Sequence, residues 1–322
     1  MNISINWLKD YVDIEETPQE VADKLTMAGL ETASITELGE GCEDIVVAQI
    51  LKKEQHPNAD RLSLCQVTDG EETYPIVCGA TNMVEGDKVA LARVGSVLPG
   101  NFKIKKAKLR GVESHGMMCS ERELGLSDEH SGIIILPKET AVGTKLVEAL
   151  GLPDTVIEVE ITPNRPDWLS VVGVAREISA NTGRALKMPP SEVNEGIDSA
   201  TEATSVEINA PYLCHRYTAR FNKGVKVGPS PLWMQNRLKA AGVRPISNVV
   251  DVTNYVLMEL GHPLHAFDFN KLRGGKIVVK RAEEGEKFTT LDGQERALTG
   301  ENLMICDGEG SVGVAGVMGG LN

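Results

Sequence analysis

Aromatic residues make up only 4% of this 322-residue chain, so its cores must be built from aliphatic side chains. Cysteine is as sparse. Cys42, Cys65, Cys78, Cys119, Cys214 and Cys306 are scattered, with no C-x-x-C pair. That excludes a dense disulfide framework and reads as small buried thiols in a reducing compartment, which predicts a cytoplasmic protein. No apolar run approaches the length of a membrane span. The start, MNISINWLKDYV, lacks the basic-then-apolar layout of a secretory leader. Neither G-x-x-x-x-G-K-[ST] nor G-x-G-x-x-G occurs, so no phosphate loop for ATP is visible. Acid is missing locally. The net charge is −13, yet Arg93, Lys103, Lys105, Lys106, Lys108 and Arg110 fall in a stretch with no Asp or Glu. Screening confines charge effects to about 10 Å, so this local sign outweighs the global one for a phosphate-binding face. The competing reading is a solvated edge strand protected by lysine.

What is present is ordinary globular material: 41% hydrophobic, 25% charged and 32 glycines. The length suggests roughly two or three domains. Residues 1–40 read as two short helices, the second opened by the capping box Thr17-Pro18-Gln19-Glu20 and stopped near Gly29. They are too small to fold alone and are expected to pack on 151–200. Residues 41–150 switch to period two, with strands at Ile45–Ile50, Leu62–Val67, Tyr74–Val77, Lys88–Val94 and Phe102–Leu109, a hairpin turn at Asp69-Gly70 and a small helix at Glu121–Leu126. A small closed barrel of the OB type fits this economically. Residues 151–204 give a strand at Val156–Ile161, a helix and a Pro/Glu/Ser-rich linker. Residues 205–322 read as a mixed α/β domain, with strands at Val206–Ile208, Tyr217–Phe221, Ile277–Arg281, Phe288–Leu291, Leu303–Cys306 and Ser311–Met318. The fold class expected is therefore α+β and multidomain. An OB barrel comes after an N-terminal helical segment and precedes an α/β domain. A glycine-rich strand end at Val317–Asn322 suggests a piece of a longer chain.

Arg244–Asp268 is the most informative stretch. An apolar helix, expected to be buried, is interrupted by Thr253 and Asn254 and runs into a Pro-containing loop with His262 and His265. Positions 250, 253, 254 and 257 share a face, so Val250 and Leu257 flank the two polar side chains. Thr253 could equally bond back to its own helix, and either histidine could be structural. A metal pair at His262 and His265 is disfavoured, because no further ligand is patterned around them. Asp268 either orients His265 or caps the segment after it. Gly313, Gly316, Gly319 and Gly320 permit close approach of backbone to a ligand, or a tight bend.

His56-Pro57-Asn58-Ala59-Asp60-Arg61-Leu62, Val77-Cys78-Gly79-Ala80-Thr81-Asn82, Lys105-Lys106-Ala107-Lys108-Leu109-Arg110-Gly111-Val112 and Ser114-His115-Gly116-Met117-Met118-Cys119-Ser120 together resemble the tRNA-binding OB module. With TPNRPDWLSVVGVAREI and PLWMQNRL…VVDVTNYVLMELGHPLHAFD, the whole chain resembles the N-terminal half of bacterial phenylalanyl-tRNA synthetase β subunits. The resemblance implies an aminoacyl-tRNA synthetase subunit that binds tRNA(Phe) and joins an α subunit in an (αβ)2 heterotetramer. ATP and Mg2+ would serve the whole enzyme, and this segment would bind neither. It implies hydrolytic editing of Tyr-tRNA(Phe), with His265, Asn254 and Thr253 in the catalytic pocket, Arg244 and Gly319 binding substrate, and Lys103, Lys105, Lys106, Lys108 and Arg110 on tRNA. The family's glutamate for the tyrosyl hydroxyl falls beyond Asn322, so the editing site is expected to be incomplete here. The rival readings are a free-standing tRNA-binding protein and an assembly subunit with an inert pocket.

Overall fold

The computed structural model describes residues 1–127, 130–196 and 199–321, and divides into two compact units. The first holds Met1–Met188, Ser230–Ile246 and Met258–Gly261.

In this unit the expected helical start is helix and sheet together. The strands Asn2–Ser4 and Glu31–Leu38 flank Asp154–Glu160 in an antiparallel sheet. The helices Ile5–Leu8, Pro18–Met27 and Val171–Thr182 bury Trp7, Leu8, Leu25, Val172 and Val174 beside it. Local chemistry sets their ends. Ser4 Oγ accepts from Trp7 N–H, the Thr17/Glu20 capping box forms with Pro18 behind it, and Ser170 Oγ accepts from Gly173 N–H. The TPNRPDW segment is cross-braced. Arg165 lies 3.3 Å from the Trp168 ring centroid and pairs with Asp167 and Glu177, while the buried indole N–H donates to Glu177.

The same unit contains a barrel-like sheet, ordered Gly116–Met118, Lys88–Arg93, Ile45–Gln55, Ser63–Thr68, Thr73–Cys78, with Ile135–Leu136 also on Lys88–Arg93. Its ends nearly meet: His115 N–H donates to Pro75 O (2.8 Å) and Val77 N–H to Ser114 Oγ (3.1 Å). The start of Ile45–Gln55 is apolar throughout because both faces are covered. Val46, Ala48 and Ile50 join Cys65, Val67 and Ile76, whereas Ile45 and Val47 join Leu124, Leu136 and Leu146.

Three expected elements differ. Glu121–Leu126 forms successive turns rather than a helix, because Gly125 turns left-handed (φ 64°) and Glu121 O accepts from Leu126 N–H. Phe102–Leu109 splits into Phe102–Lys103, paired with Val97–Leu98, and Ala107–Leu109, paired with Val112–Ser114. Tyr217–Phe221 is not a strand, for its middle residues are exposed and only Phe221 finds a ring partner, edge-on to Phe269 at 4.6 Å.

The second unit holds Pro189–Pro229, Ser247–Leu257 and His262–Asn322. Its sheet runs Ser205–Ile208, Lys276–Arg281, Leu303–Cys306, Ser311–Val314, Met318–Gly319, parallel at the first pairing and antiparallel after it. Ser311–Met318, expected as one strand, folds back on itself at Gly316 (φ 69°). Val278, Ala282, Phe288, Leu298, Met304 and Cys306 form the core. Asn248–Leu260, of which this unit takes the part up to Leu257, is helical as expected, but not buried as expected: Asp251 and Tyr255 are enclosed, and Val252 and Leu257 are exposed. Both units together are mixed α/β.

Candidate functional site

The basic residues do not act as one block. Arg93 is committed to Asp69, a buried carboxylate 3.1 Å away. Asp69 also accepts from Glu71 N–H, Glu72 N–H and Tyr74 O–H. These bonds hold its carboxyl below the usual range against the opposing effect of burial. Lys103, Lys105, Lys106, Lys108 and Arg110 are all exposed. Lys106 pairs with Glu113 at 2.9 Å, and His115 approaches the same carboxylate. Among the described residues, Lys103, Lys105, Lys108 and Arg110 have no ion-pair partner.

The Ala107–Leu109/Val112–Ser114 hairpin turns at Arg110 (φ 47°) and Gly111 (φ 94°), the doubly left-handed pair that matches strand twist. A clip fastens this turn to the barrel. His56, 2% exposed, places Nε2 3.1 Å from Leu109 O, and Asn58 Nδ2 donates to Arg110 O at 3.1 Å. His56 Nδ1 accepts from Asn58 N–H, so Nε2 is the donor. The sequence motif containing both residues was visible, but this bracing role was not.

The same unit has a groove of about 820 Å³, walled by Cys78, Gly79, Ala80, Phe102, Met117 and Arg122 among others. The VCGATN and SHGMMCS motifs meet in this wall, and Met118 forms part of its floor while being buried in the barrel.

In the second unit, His265 and Gly319 come together. A Cβ placed on Gly319 would stand 2.7 Å from His265 Cε1, 3.1 Å from Nε2 and 3.1 Å from Leu291 Cδ1. The imidazole thus lies directly against the bare Cα of a buried glycine, and Phe267 meets its face edge-on at 4.6 Å. His265 is exposed as a residue, but packing against Gly319 and Phe267 partly desolvates its ring and lowers its pKa from the ordinary imidazole value. Asp268 does not orient it. That carboxylate accepts from Asn270 N–H and caps the turn Phe269–Lys271. Thr253 Oγ donates to Val250 O at 2.7 Å within its own helix. Asn254 is half-buried, and no hydrogen bond joins His265 to Thr253 or Asn254 among the described residues. Arg244 is exposed and belongs to the first unit. His262 is exposed too, and no cluster of three or more potential metal ligands exists among the described residues. Asp251, 1% exposed, escaped the sequence reading; an acid among the valines of the helix's first turn was the signal.

Comparison with known proteins finds two family matches. A putative tRNA binding domain model matches residues 45–145, and a B3/4 domain model matches residues 213–322. The pairing of these domains defines an aminoacyl-tRNA synthetase subunit. Over all of its residues the chain is 56% identical to the phenylalanine--tRNA ligase beta subunit of Geobacter metallireducens, and 55% identical to those of Syntrophus aciditrophicus and Geobacter sulfurreducens. It belongs to this beta-subunit family and spans 40% of the length of these relatives.

Proposed function

We propose that this chain supplies the tRNA-binding barrel, of OB type, and the editing pocket of a phenylalanine--tRNA ligase. Its partners would be tRNA(Phe) and an α subunit in an (αβ)2 assembly. ATP and Mg2+ would serve amino-acid activation on the α subunit, and the enzyme would work in the cytosol. No helix is long and apolar enough to cross a membrane among the described residues.

The observation that carries the editing reading is the His265 imidazole seated against Gly319. Tyrosine differs from phenylalanine by one hydroxyl, which an apolar pocket rejects poorly, so a second hydrolytic sieve is physically sensible. An aminoacyl ester is already activated, and positioning a water and fixing the carbonyl suffice. In the proposed step, His265 accepts a proton as water attacks the ester carbonyl carbon. The bond from that carbon to the ribose oxygen then breaks, and the proton passes to the ribose oxygen, releasing tyrosine and intact tRNA. Asn254 holds the carbonyl with Thr253 beside it, and Gly319 leaves room for the amino acid. The clipped basic hairpin holds the tRNA backbone through Lys103, Lys105, Lys106, Lys108 and Arg110, with Lys106 weakened by Glu113.

The test is His265→Ala in the complete beta subunit with its partner. Deacylation of Tyr-tRNA(Phe) should fall while phenylalanine activation persists; unchanged deacylation refutes the assignment. The Thr253 hydroxyl, turned back to its own helix, favours one second reading, a tRNA-binding assembly subunit with an inert pocket. Absence of deacylation by the wild-type assembly would select it.

A further inference from the structure

We infer that the groove beside Phe102 is a stacking slot for one unpaired RNA base, flanked by phosphates held on the basic hairpin. The inference rests on the tRNA-binding reading of the barrel and specifies which part of an RNA the barrel takes.

Phe102 is 60% exposed, although aromatics are scarce in this chain. Its exposure is not slackness of the loop. The next-but-one residue, Ile104, is 4% exposed and is fixed by Ile104 N–H to Ser96 O (2.8 Å) and Gly95 N–H to Ile104 O (2.9 Å). Phe102 itself pairs with Leu98. The ring is therefore held outward by a braced hairpin at the groove wall. Tyr74, the other aromatic side chain of this region, is turned to Asp69 instead.

The opposite surfaces suit a planar, weakly polar ligand. Met117, Ala80 and Ile133 give apolar contact, Gly79 keeps one wall low, and thioether sulfur packs well on aromatic faces. Charge decides between an apolar peptide and a nucleic acid. Lys103 comes directly after Phe102, Lys105 lies in the loop that follows, Lys108 lies on the strand Ala107–Leu109 beyond it, and Arg122 is exposed on the groove wall without an ion-pair partner among the described residues. Among the described residues, the carboxylate in this wall is Glu123, which accepts from Ser120 N–H and Oγ at 2.7 and 2.8 Å. A ring beside a track of cations is the pattern that binds single-stranded nucleic acid. A base inside a duplex presents no free face to such a ring, so the ligand is a loop, bulge or end.

The experiment titrates tRNA(Phe) at several salt concentrations against the complete protein and two sets of variants. Phe102→Ala should weaken binding on the order of ten-fold with an unchanged salt slope, and Phe102→Trp should bind as the wild type. Replacing Lys103, Lys105 and Lys108 with Ala should flatten the slope. Single-stranded oligoadenylate should compete better than a duplex of equal length. The slot is refuted if Phe102→Ala binds normally while the lysine variant weakens, which leaves the hairpin reading intact. It is refuted as well if Phe102→Ala also flattens the slope, since the ring would then only prop the hairpin, or if the duplex competes equally. If the lysine variant binds as the wild type does, the tRNA-binding reading itself falls, and the slot with it. Preference for an apolar peptide over oligoadenylate would overturn it in favour of a protein partner.

Discussion

Gly319→Ala separates a positioned imidazole from one that merely happens to be near. The backbone at Gly319 does not lie in the left-handed region, so alanine is conformationally acceptable there, and the glycine is needed for space alone. The added Cβ would stand 2.7 Å from His265 Cε1, roughly 1 Å inside ordinary van der Waals contact. One of the two sides has to yield. Gly319 pairs with Gly313 in the sheet, and its carbonyl accepts from Leu291 N–H at 3.0 Å. His265 sits on an exposed loop with no side-chain hydrogen bond among the described residues. The ring moves and the strand stays. Stability should then change by less than about 1 kcal/mol, because nothing packed is lost and alanine restricts the unfolded chain slightly. A catalytic group displaced by about 1 Å can cost on the order of 100-fold in rate. The assay is Tyr-tRNA(Phe) deacylation by the complete beta subunit with its partner, alongside the unfolding midpoint. A large rate loss at unchanged stability supports the pocket. Full deacylation activity in the variant, or a loss that merely tracks a collapsed midpoint, refutes it.

The pH profile gives an independent check: with its pKa lowered by desolvation, His265 stays neutral as pH falls through 6.5, and deacylation should decline only below that value. A decline centred at or above pH 6.5 would point to another group. Asp307, 4% exposed, accepts from Arg273 Nε (2.6 Å) and from the backbone of Arg273, Glu309 and Gly310, which together overcome its burial and hold its carboxyl at about 2 rather than 3.8. A depressed carboxyl stabilises the fold above its unfolded pKa, so about 2 kcal/mol is present at neutral pH and is lost as pH falls from near 4 through 2. Urea unfolding of Asp307→Asn should be weaker at pH 7 and should lack that acid-limb slope; a wild-type slope would show that the pairing is idle. Gly173→Ala would drive a Cβ to 2.0 Å from Asp167 O and 2.9 Å from the capping Ser170 Oγ. The first is backbone and cannot swing away, so a loss of about 1–3 kcal/mol or more is expected in the urea midpoint, and a neutral variant would contradict the packing described.

Much of the local structure was legible because its causes are local. The Thr17/Glu20 capping box and the strands near Ile45, Lys88 and Leu303 arise from side chains within a few residues of one another. The near-closure of the barrel-like sheet was less legible, since it depends on His115 and Ser114 bonding to Pro75 and Val77 across the fold. The His56 and Asn58 clip is likewise long-range and leaves no periodic trace. Periodicity overreached at the Asn248–Leu260 helix. An apolar stripe says that a surface is suited to burial, and here only Asp251 and Tyr255 are enclosed.

The His265 environment turns on the same distinction between chain neighbours and spatial ones. Asp268 is close in sequence and looked able to orient the imidazole. A carboxylate partner would have raised the pKa of the ring and favoured its charged form. The structure spends Asp268 on capping Asn270 and puts Gly319 and Phe267 against the ring instead. Desolvation then acts without a compensating anion, and the pKa falls. A ring so placed is a weaker base than a carboxylate-paired histidine. On the proposed reading, an ester that is already reactive asks for an acceptor placed beside it more than for a strong base, so the site would depend on the position of His265 against Gly319 rather than on its basicity.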